Sequence, residues 1–187
     1  MNQRTIVRSL TTEEGTLVGM NDGLIMWKPN EGRPFRMNLD ALPTVLLVVR
    51  GPMGNIDLAA IGTASGHVKL LTLPRLELIT TFSLQEGSVR ALVLANEGTL
   101  QFLAGTQRGG VWRLDDSKQT REEHLFGIEG PVSSLHLING SVHIQSGWYR
   151  HERSLDGSSV RVENTAETYT VRRQKRLDRS YILQSPA

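Results

Sequence analysis

The composition of this chain already narrows the classes of protein it belongs to. It has 187 residues, of which 39% are hydrophobic, 21% charged and 5% aromatic, as in soluble globular proteins. It contains no cysteine, which excludes a disulfide framework, thiol catalysis and a cysteine-ligated metal. Its apolar runs fall far short of the roughly 18–20 residues that cross a bilayer, and residues 1–20 lack the apolar core of a secretory signal. We expect a cytoplasmic protein of one or two domains.

A glycine recurs along the chain at a nearly constant interval. Gly19, Gly62, Gly105 and Gly147 are separated by 43, 43 and 42 residues, and each follows a short apolar segment. Such a segment repeated at a fixed period predicts one strand per structural repeat. The period therefore predicts four repeats.

A second glycine follows four residues after each of the first three, at Gly23, Gly66 and Gly109. The intervening residues are small or polar, which predicts a hairpin turn in each repeat. The partner strands are predicted at 24–27, 68–71 and 111–114. A weaker fourth copy is predicted at 152–155, with His151 where the second glycine is expected.

Two more strands are predicted in each repeat. The segments EGSV (86–89) and EGPV (129–132) lie 43 residues apart and open the apolar stretches 89–94 and 132–138. Residues 44–49 are the equivalent strand one repeat earlier, and 6–7 the first. Alternating segments at 35–39, 78–84 and 124–126 take the fourth place, so each repeat holds about four short strands, as a propeller blade does.

The stretch TLVGMNDGLIMWKP resembles the strand, turn and strand ending in Trp of WD-repeat β-propellers, and SLQEGSVRALVLANEGTLQFLAGTQRGGVWRLDD resembles a full repeat. The resemblance covers residues 5–156. Only Trp27 stands at the family's terminal Trp position. Gln85 and Ile128 stand where the family has His, and Trp112 is displaced by two residues. We therefore expect hydrophobic packing between blades to replace the family's side-chain hydrogen-bond network.

The resemblance implies an all-β fold of four WD-like, four-stranded blades. Residues 1–156 form the predicted propeller-like domain, and 157–187 the last strand with a basic C-terminal tail. Four blades make an open half-propeller, or half of an eight-bladed dimeric ring, because WD rings usually have seven or eight. Another subunit would close the ring equally well. A compact four-bladed ring is disfavoured because the innermost strand 44–49 is bulky.

Two features are candidates for partner binding. Trp148, Tyr149 and Arg150 replace the small polar turn of the other repeats and belong to the residue types that dominate protein interfaces. In the alternative, Trp148 packs beneath the tail.

A metal site is suggested by three histidines of the fourth repeat, His136, His143 and His151. Surface or turn positions are expected for them instead, because no carboxylate or cysteine recurs beside them.

The second feature is the tail. Residues 1–149 carry a net charge of −1 and residues 150–187 a net charge of +3. The basic side chains, opposed by Asp178, are Arg172, Arg173, Lys175, Arg176 and Arg179. They are followed by a partly apolar segment with Tyr181, Ile182 and Leu183. The tail is predicted to bind an acidic protein face or phosphate, or to dock on the missing face of the ring.

The leading hypothesis is a non-catalytic scaffold or assembly subunit that presents its faces and basic tail to other proteins. The alternative is nucleic-acid binding through residues 172–179 with Arg108 and Arg150. An enzyme with its site in the central channel is the third. No nucleophile elbow and no phosphate-binding glycine loop occurs in the sequence, so no catalytic, cofactor or metal site is predicted.

Overall fold

Four antiparallel sheets, here called blades 1 to 4, make up the described part of the chain. The computed structural model describes residues 3–50, 57–96, 98–119, 121–156, 158 and 160–165. Blade 1 contains β1 (Ile6–Thr11), β2 (Gly15–Met20), β3 (Leu24–Pro29) and β4 (Phe35–Asn38). Blade 2 contains β5 (Pro43–Arg50), β6 (Asp57–Thr63), β7 (His67–Thr72) and β8 (Leu78–Ser83). Blade 3 contains β9 (Val89–Asn96), β10 (Gln101–Thr106), β11 (Gly110–Leu114) and β12 (Glu122–Gly127). Blade 4 contains β13 (Ser134–Ile138), β14 (Ser141–Ser146), β15 (Tyr149–Ser154) and β16 (Val160–Asn164).

In every blade the four strands lie side by side in chain order. The first strands of consecutive blades touch, β1 against β5, β5 against β9 and β9 against β13. These four strands therefore line the inner side of the assembly, as the innermost strands of a propeller do. The four predicted blades are confirmed.

The core is divided into three clusters, each lying between two consecutive blades. Because side chains alternate along a strand, the two faces of β6 serve different clusters. Ala59 and Ile61 pack toward blade 1, whereas Leu58 and Ala60 pack toward blade 3. The third cluster joins blades 3 and 4. A closed four-bladed ring needs a fourth such cluster between blades 4 and 1, and the described residues form three, so the blades make an open arc.

A glycine in the second strand of blades 1 to 3 forms what we call a seat, and the apolar side chain of the next blade that fills it is a wedge. The pairs are Gly19 with Pro43, Gly62 with Val89, and Gly105 with Val132. A Cβ added to Gly62 would lie 2.7 Å from Val89 Cγ1, and one added to Gly105 would lie closer still to Val132. The recurring glycine is thus a packing requirement between blades.

The prediction that Gly147 continues this series is wrong. In blade 3, three residues separate β10 from β11, but Gly147 and Trp148 alone separate β14 from β15. Gly147 lies in this turn with φ of +53°, and Gln145 occupies the seat position. The shorter turn also moves the third strand, which begins at Tyr149 instead of 152 and places His151 inside it.

Two further details refine the sequence analysis. The first strand extends from Ile6 to Thr11, well beyond the predicted pair 6–7. The turn between β13 and β14 consists of Asn139 and Gly140, with φ of +50° and +79°. Positive φ at both positions marks the tight hairpin turn that an Asn-Gly pair favours.

Candidate protein-interaction surface

The turn between β14 and β15 carries two large exposed aromatic side chains. Trp148 is 63% exposed and Tyr149 51% exposed, and Arg150 is exposed beside them. The prediction that all three replace the turn is corrected: Gly147 and Trp148 form the turn, while Tyr149 and Arg150 begin β15. Because neighbours along a strand point to opposite faces, Tyr149 and Arg150 diverge from one another.

Hydrogen bonds from both sides hold this turn. Gln145 Nε2 donates to the carbonyl oxygen of Gly147 at 2.6 Å. On the other side, the backbone N–H and the hydroxyl of Thr165 donate to the carbonyl oxygen of Trp148 at 2.7 and 2.6 Å. The backbone beneath the indole is therefore fixed while the ring is left in solvent, an arrangement suited to an interface anchor.

The equivalent turn of blade 1 uses its side chains locally instead. Asp22 accepts a hydrogen bond from the N–H of Leu24 and one from Arg4 Nε. The Leu24 N–H, followed by Arg4, holds the pKa of Asp22 below its ordinary value. Near the end of β15, the hydroxyl of Ser154 and the backbone N–H of Ser158 lower the pKa of Asp156 to about 2. Both carboxylates therefore make local contacts within or beside their turns.

Blade 3 contains a side-chain network that the sequence analysis missed. Glu86 Oε2 accepts hydrogen bonds from Trp112 Nε1 at 2.9 Å and from the hydroxyl of Thr106 at 3.1 Å. The indole of Trp112 lies edge-on to the His124 ring at 5.0 Å. Gly110 has no Cβ, and one added there would collide with Glu86. The expectation that apolar packing alone holds the blades is therefore wrong for blade 3.

The histidines of blade 4 do not converge. His136 and His143 are cross-strand partners, whereas His151 pairs with Ile144, which packs toward blade 3. The described parts of the chain contain no group of three or more His, Asp or Glu residues that could hold a metal ion. His151 is also buried, which overturns its expected surface or turn position.

We expect His151 to make the stability of the chain sensitive to acid. Among the described residues, neither of its ring nitrogens has a hydrogen-bond partner, and burial, followed by the nearby Arg153, lowers its pKa. The unfolded chain therefore binds a proton more readily, so folding stability falls as the pH drops through about 6.5. His151→Leu should raise the free energy of unfolding at pH 5 more than at pH 8, measured by urea titration at both values. Parallel pH profiles for the two proteins would contradict this assignment.

The basic residues of the tail, from Arg172 through Arg179, and Tyr181 lie outside the described residues. No helix of the described chain is long and apolar enough to span a membrane.

Comparison with known proteins identifies the fold. No protein-family model matches the chain, and no curated protein matches it. Among solved structures it is similar to a chain of the mitotic checkpoint complex, with TM-score 0.72 and 13% identity over 87% of this chain and 54% of that one. It is also similar to the RRP9 WD40 repeats, with TM-score 0.65 and 18% identity over 87% of this chain and 52% of that one. The fold is that of a WD-repeat β-propeller.

The extent of these matches agrees with the open arc. The chain spans about half the length of the checkpoint and RRP9 structures. It spans 93% of the computationally designed Ika4 protein, with TM-score 0.63 and 17% identity over 88% of this chain. At such identities the likeness concerns the fold alone. The WD-like arc therefore has about half the extent of the two longer propellers.

Proposed function

We propose that this chain is a non-catalytic protein-interaction scaffold, or an assembly subunit, that binds a protein partner through the β14–β15 turn. The observation that carries the proposal is the pair Trp148 and Tyr149, both more than half exposed on a turn whose backbone is held by Gln145 and Thr165. Exposed Trp and Tyr on a rigid support are the side chains that dominate binding energy when a partner desolvates them.

The corresponding turns strengthen this assignment. Blades 1, 2 and 3 carry Asn21-Asp22, Ala64-Ser65 and Gln107-Arg108 at their turns. The aromatic pair is thus particular to blade 4, and its exposure is not a consequence of the repeat itself. Because blade 4 is the last blade of the described arc, a partner bound at its β14–β15 turn would also lie close to that end of the arc.

The test is site-specific photocrosslinking in cells of the source organism. A photoreactive phenylalanine analogue at position 148 should yield a defined crosslinked protein. The same analogue at Leu78, which is 50% exposed on β8, serves as the control and should not yield it. With that partner purified, Trp148→Ala combined with Tyr149→Ala should weaken binding at least about 30-fold, as expected for hot-spot truncation.

The matched control variant is Leu78→Ala combined with Ile79→Ala, which removes two comparably exposed apolar side chains from another blade. It should leave the dissociation constant within about twofold. Equal affinities for the two double variants would refute the role of the turn. Recovery of nucleic acid instead of protein at position 148 would favour the nucleic-acid alternative.

A further inference from the structure

The two ends of the arc present faces of opposite character. In blade 1, Leu17 packs toward blade 2, so the alternating residues of the same strands point the other way. That outward face is here called the open face of blade 1. It carries the polar residues Ser9, Thr16, Lys28 and Arg36 and a group of apolar residues, which are Ile6, Val18, Met20, Leu24 and Met26. It is the face on which a preceding blade would pack.

The opposite end, on blade 4, is mainly polar, with Ile138 49% exposed on the same face. His136, His143, Glu152 and Arg161 form one cross-strand row on the side away from blade 3. Gln145 occupies the seat position of the same face. Polar side chains tolerate water, so this end requires no cover, whereas the open face of blade 1 does.

Two residues of the open face of blade 1 are buried although their neighbours on that face are exposed. Val18 is 2% exposed and Met26 7% exposed, yet both stand outside the three inter-blade clusters of the described residues. Their cross-strand neighbours on that face, Ser9 and Arg36, are exposed. Blade 2 packs on the other side of the sheet, so it does not account for this burial.

We propose that the C-terminal segment of this same chain, residues 166–187, docks on the open face of blade 1. The described chain ends at Thr165, directly after β16, the outer strand of blade 4, and the 22 residues beyond it extend to about 70 Å. A blade of four strands spaced about 4.8 Å apart is about 14 Å wide, so the outer edges of two opposite blades lie about 30 Å apart plus the width of the centre between them. The segment is therefore long enough, and Leu177, Tyr181, Ile182 and Leu183 supply an apolar surface.

Charge complementarity supports the same occupant. The turns at one end of blade 1 carry Glu13, Glu14 and Glu31, all exposed, with Arg33 opposing them. Asn30 holds the two turns together by donating its N–H to the carbonyl of Glu14 and its Nδ2 to that of Glu13. None of the three carboxylates forms an ion pair with a described residue. The basic run from Arg172 to Arg179 complements this acidic edge.

A second copy of the chain fits the open face less well. Ile6 of blade 1 has the same place in its sheet as the wedge Pro43 has in blade 2, because Ile6 pairs with Met20 as Pro43 pairs with Thr63. Ile6 is therefore at the wedge position of blade 1, and its side chain is 57% exposed. In an eight-bladed dimer this wedge would meet Gln145 of the second copy, which has a side chain where blades 1 to 3 have glycine. The side chain of Ile6 would therefore clash with the side chain of Gln145.

The absence of cysteine from the chain permits a direct test. In the full-length protein, Ser9→Cys on the open face is combined with Leu183→Cys, and disulfide formation under mild oxidation is followed by mass spectrometry. The control pair combines Leu183→Cys with His136→Cys, an exposed position on the polar end of blade 4. An undocked tail would reach position 136 more readily, because blade 4 carries the tail.

We expect the Ser9–Leu183 disulfide to form within single chains at least about tenfold faster than the control disulfide. Equal or slower formation would overturn the proposal, as would disulfides that link two chains.

A second measurement is the labelling rate of the thiol in Met26→Cys. This labelling rate should rise at least tenfold in a triple variant that combines Tyr181→Ser, Ile182→Ser and Leu183→Ser. It should not rise in the control variant that combines Ser180→Ala with Gln184→Ala. An unchanged rate would also overturn the proposal. Neither result bears on the binding role of Trp148.

Discussion

Trp27→Ala is expected to lower the free energy of unfolding by about 3–5 kcal/mol, the cost of removing a large buried aromatic side chain. Trp27 is 2% exposed, lies opposite Leu17 in the sheet and belongs to the cluster between blades 1 and 2. Its ring also packs on Gly15, where an added Cβ would lie 2.8 Å from the indole. The substitution therefore leaves a cavity in a rigid interface. Urea unfolding followed by circular dichroism measures the loss.

Trp148→Ala is the control for the same chemical change. Trp148 is 63% exposed, so its removal should alter the free energy of unfolding by less than about 0.5 kcal/mol. The contrast separates the two roles that tryptophan plays in this chain. Similar losses from both substitutions would show that the β14–β15 turn contributes to the core, against the interaction role proposed for it.

Gly105→Ala is expected to destabilise the protein by about 2–3 kcal/mol, although alanine normally stabilises a strand relative to glycine. The added methyl would overlap both Cγ1 and Cβ of Val132, the wedge of blade 4. Val132 is fully buried, so it has no room to retreat. Blades 3 and 4 must therefore separate slightly, and the thermal midpoint should fall by about 4–12 °C.

Gly127→Ala provides the matched control in the same blade. Apart from its two chain neighbours, no atom of the residues that the structure describes lies within 4 Å of the position that its Cβ would take, so this variant should be neutral or more stable by up to about 1 kcal/mol. Combining Gly105→Ala with Val132→Ala should restore part of the lost stability, because it removes the contact with Cγ1, the closest atom, and leaves only the approach of 2.7 Å to Cβ. A Gly105→Ala protein as stable as the Gly127→Ala protein would show that the seat does not constrain packing.

The repeat could be predicted from sequence because its signals are local and periodic. The seats at Gly19, Gly62 and Gly105 recur with the apolar segments that precede them, so period, strand order and most turns follow from spacing alone. Spacing failed at Gly147. The β14–β15 turn is one residue shorter than its counterpart in blade 3, so Gly147 lies in the turn and Gln145 lies at the seat position. The spacing of glycines alone does not reveal whether a given glycine serves as a seat or as a turn residue.

The candidate site was predicted less completely. Residue type pointed to Trp148 and Tyr149, since large aromatics at a hairpin turn are conspicuous in any repeat. The Glu86–Trp112 bond and the burial of His151 depend on which faces meet across the sheet, information that a single strand does not contain. The doubled glycine at Gly109-Gly110 is the signal present in the sequence, because a glycine at the second position leaves space for a side chain from elsewhere in the chain, here Glu86.

The direction in which seats and wedges point has a consequence for how such a chain can grow. Every seat in blades 1 to 3 opens toward the following blade, and every wedge enters from that side. A duplicated segment of one 43-residue period inserted between the terminal blades would carry its own seat and wedge and fit both neighbours. The arc can therefore be lengthened internally by gene duplication without redesign of either end, whereas an addition after blade 4 would first require Gln145 to be replaced by glycine.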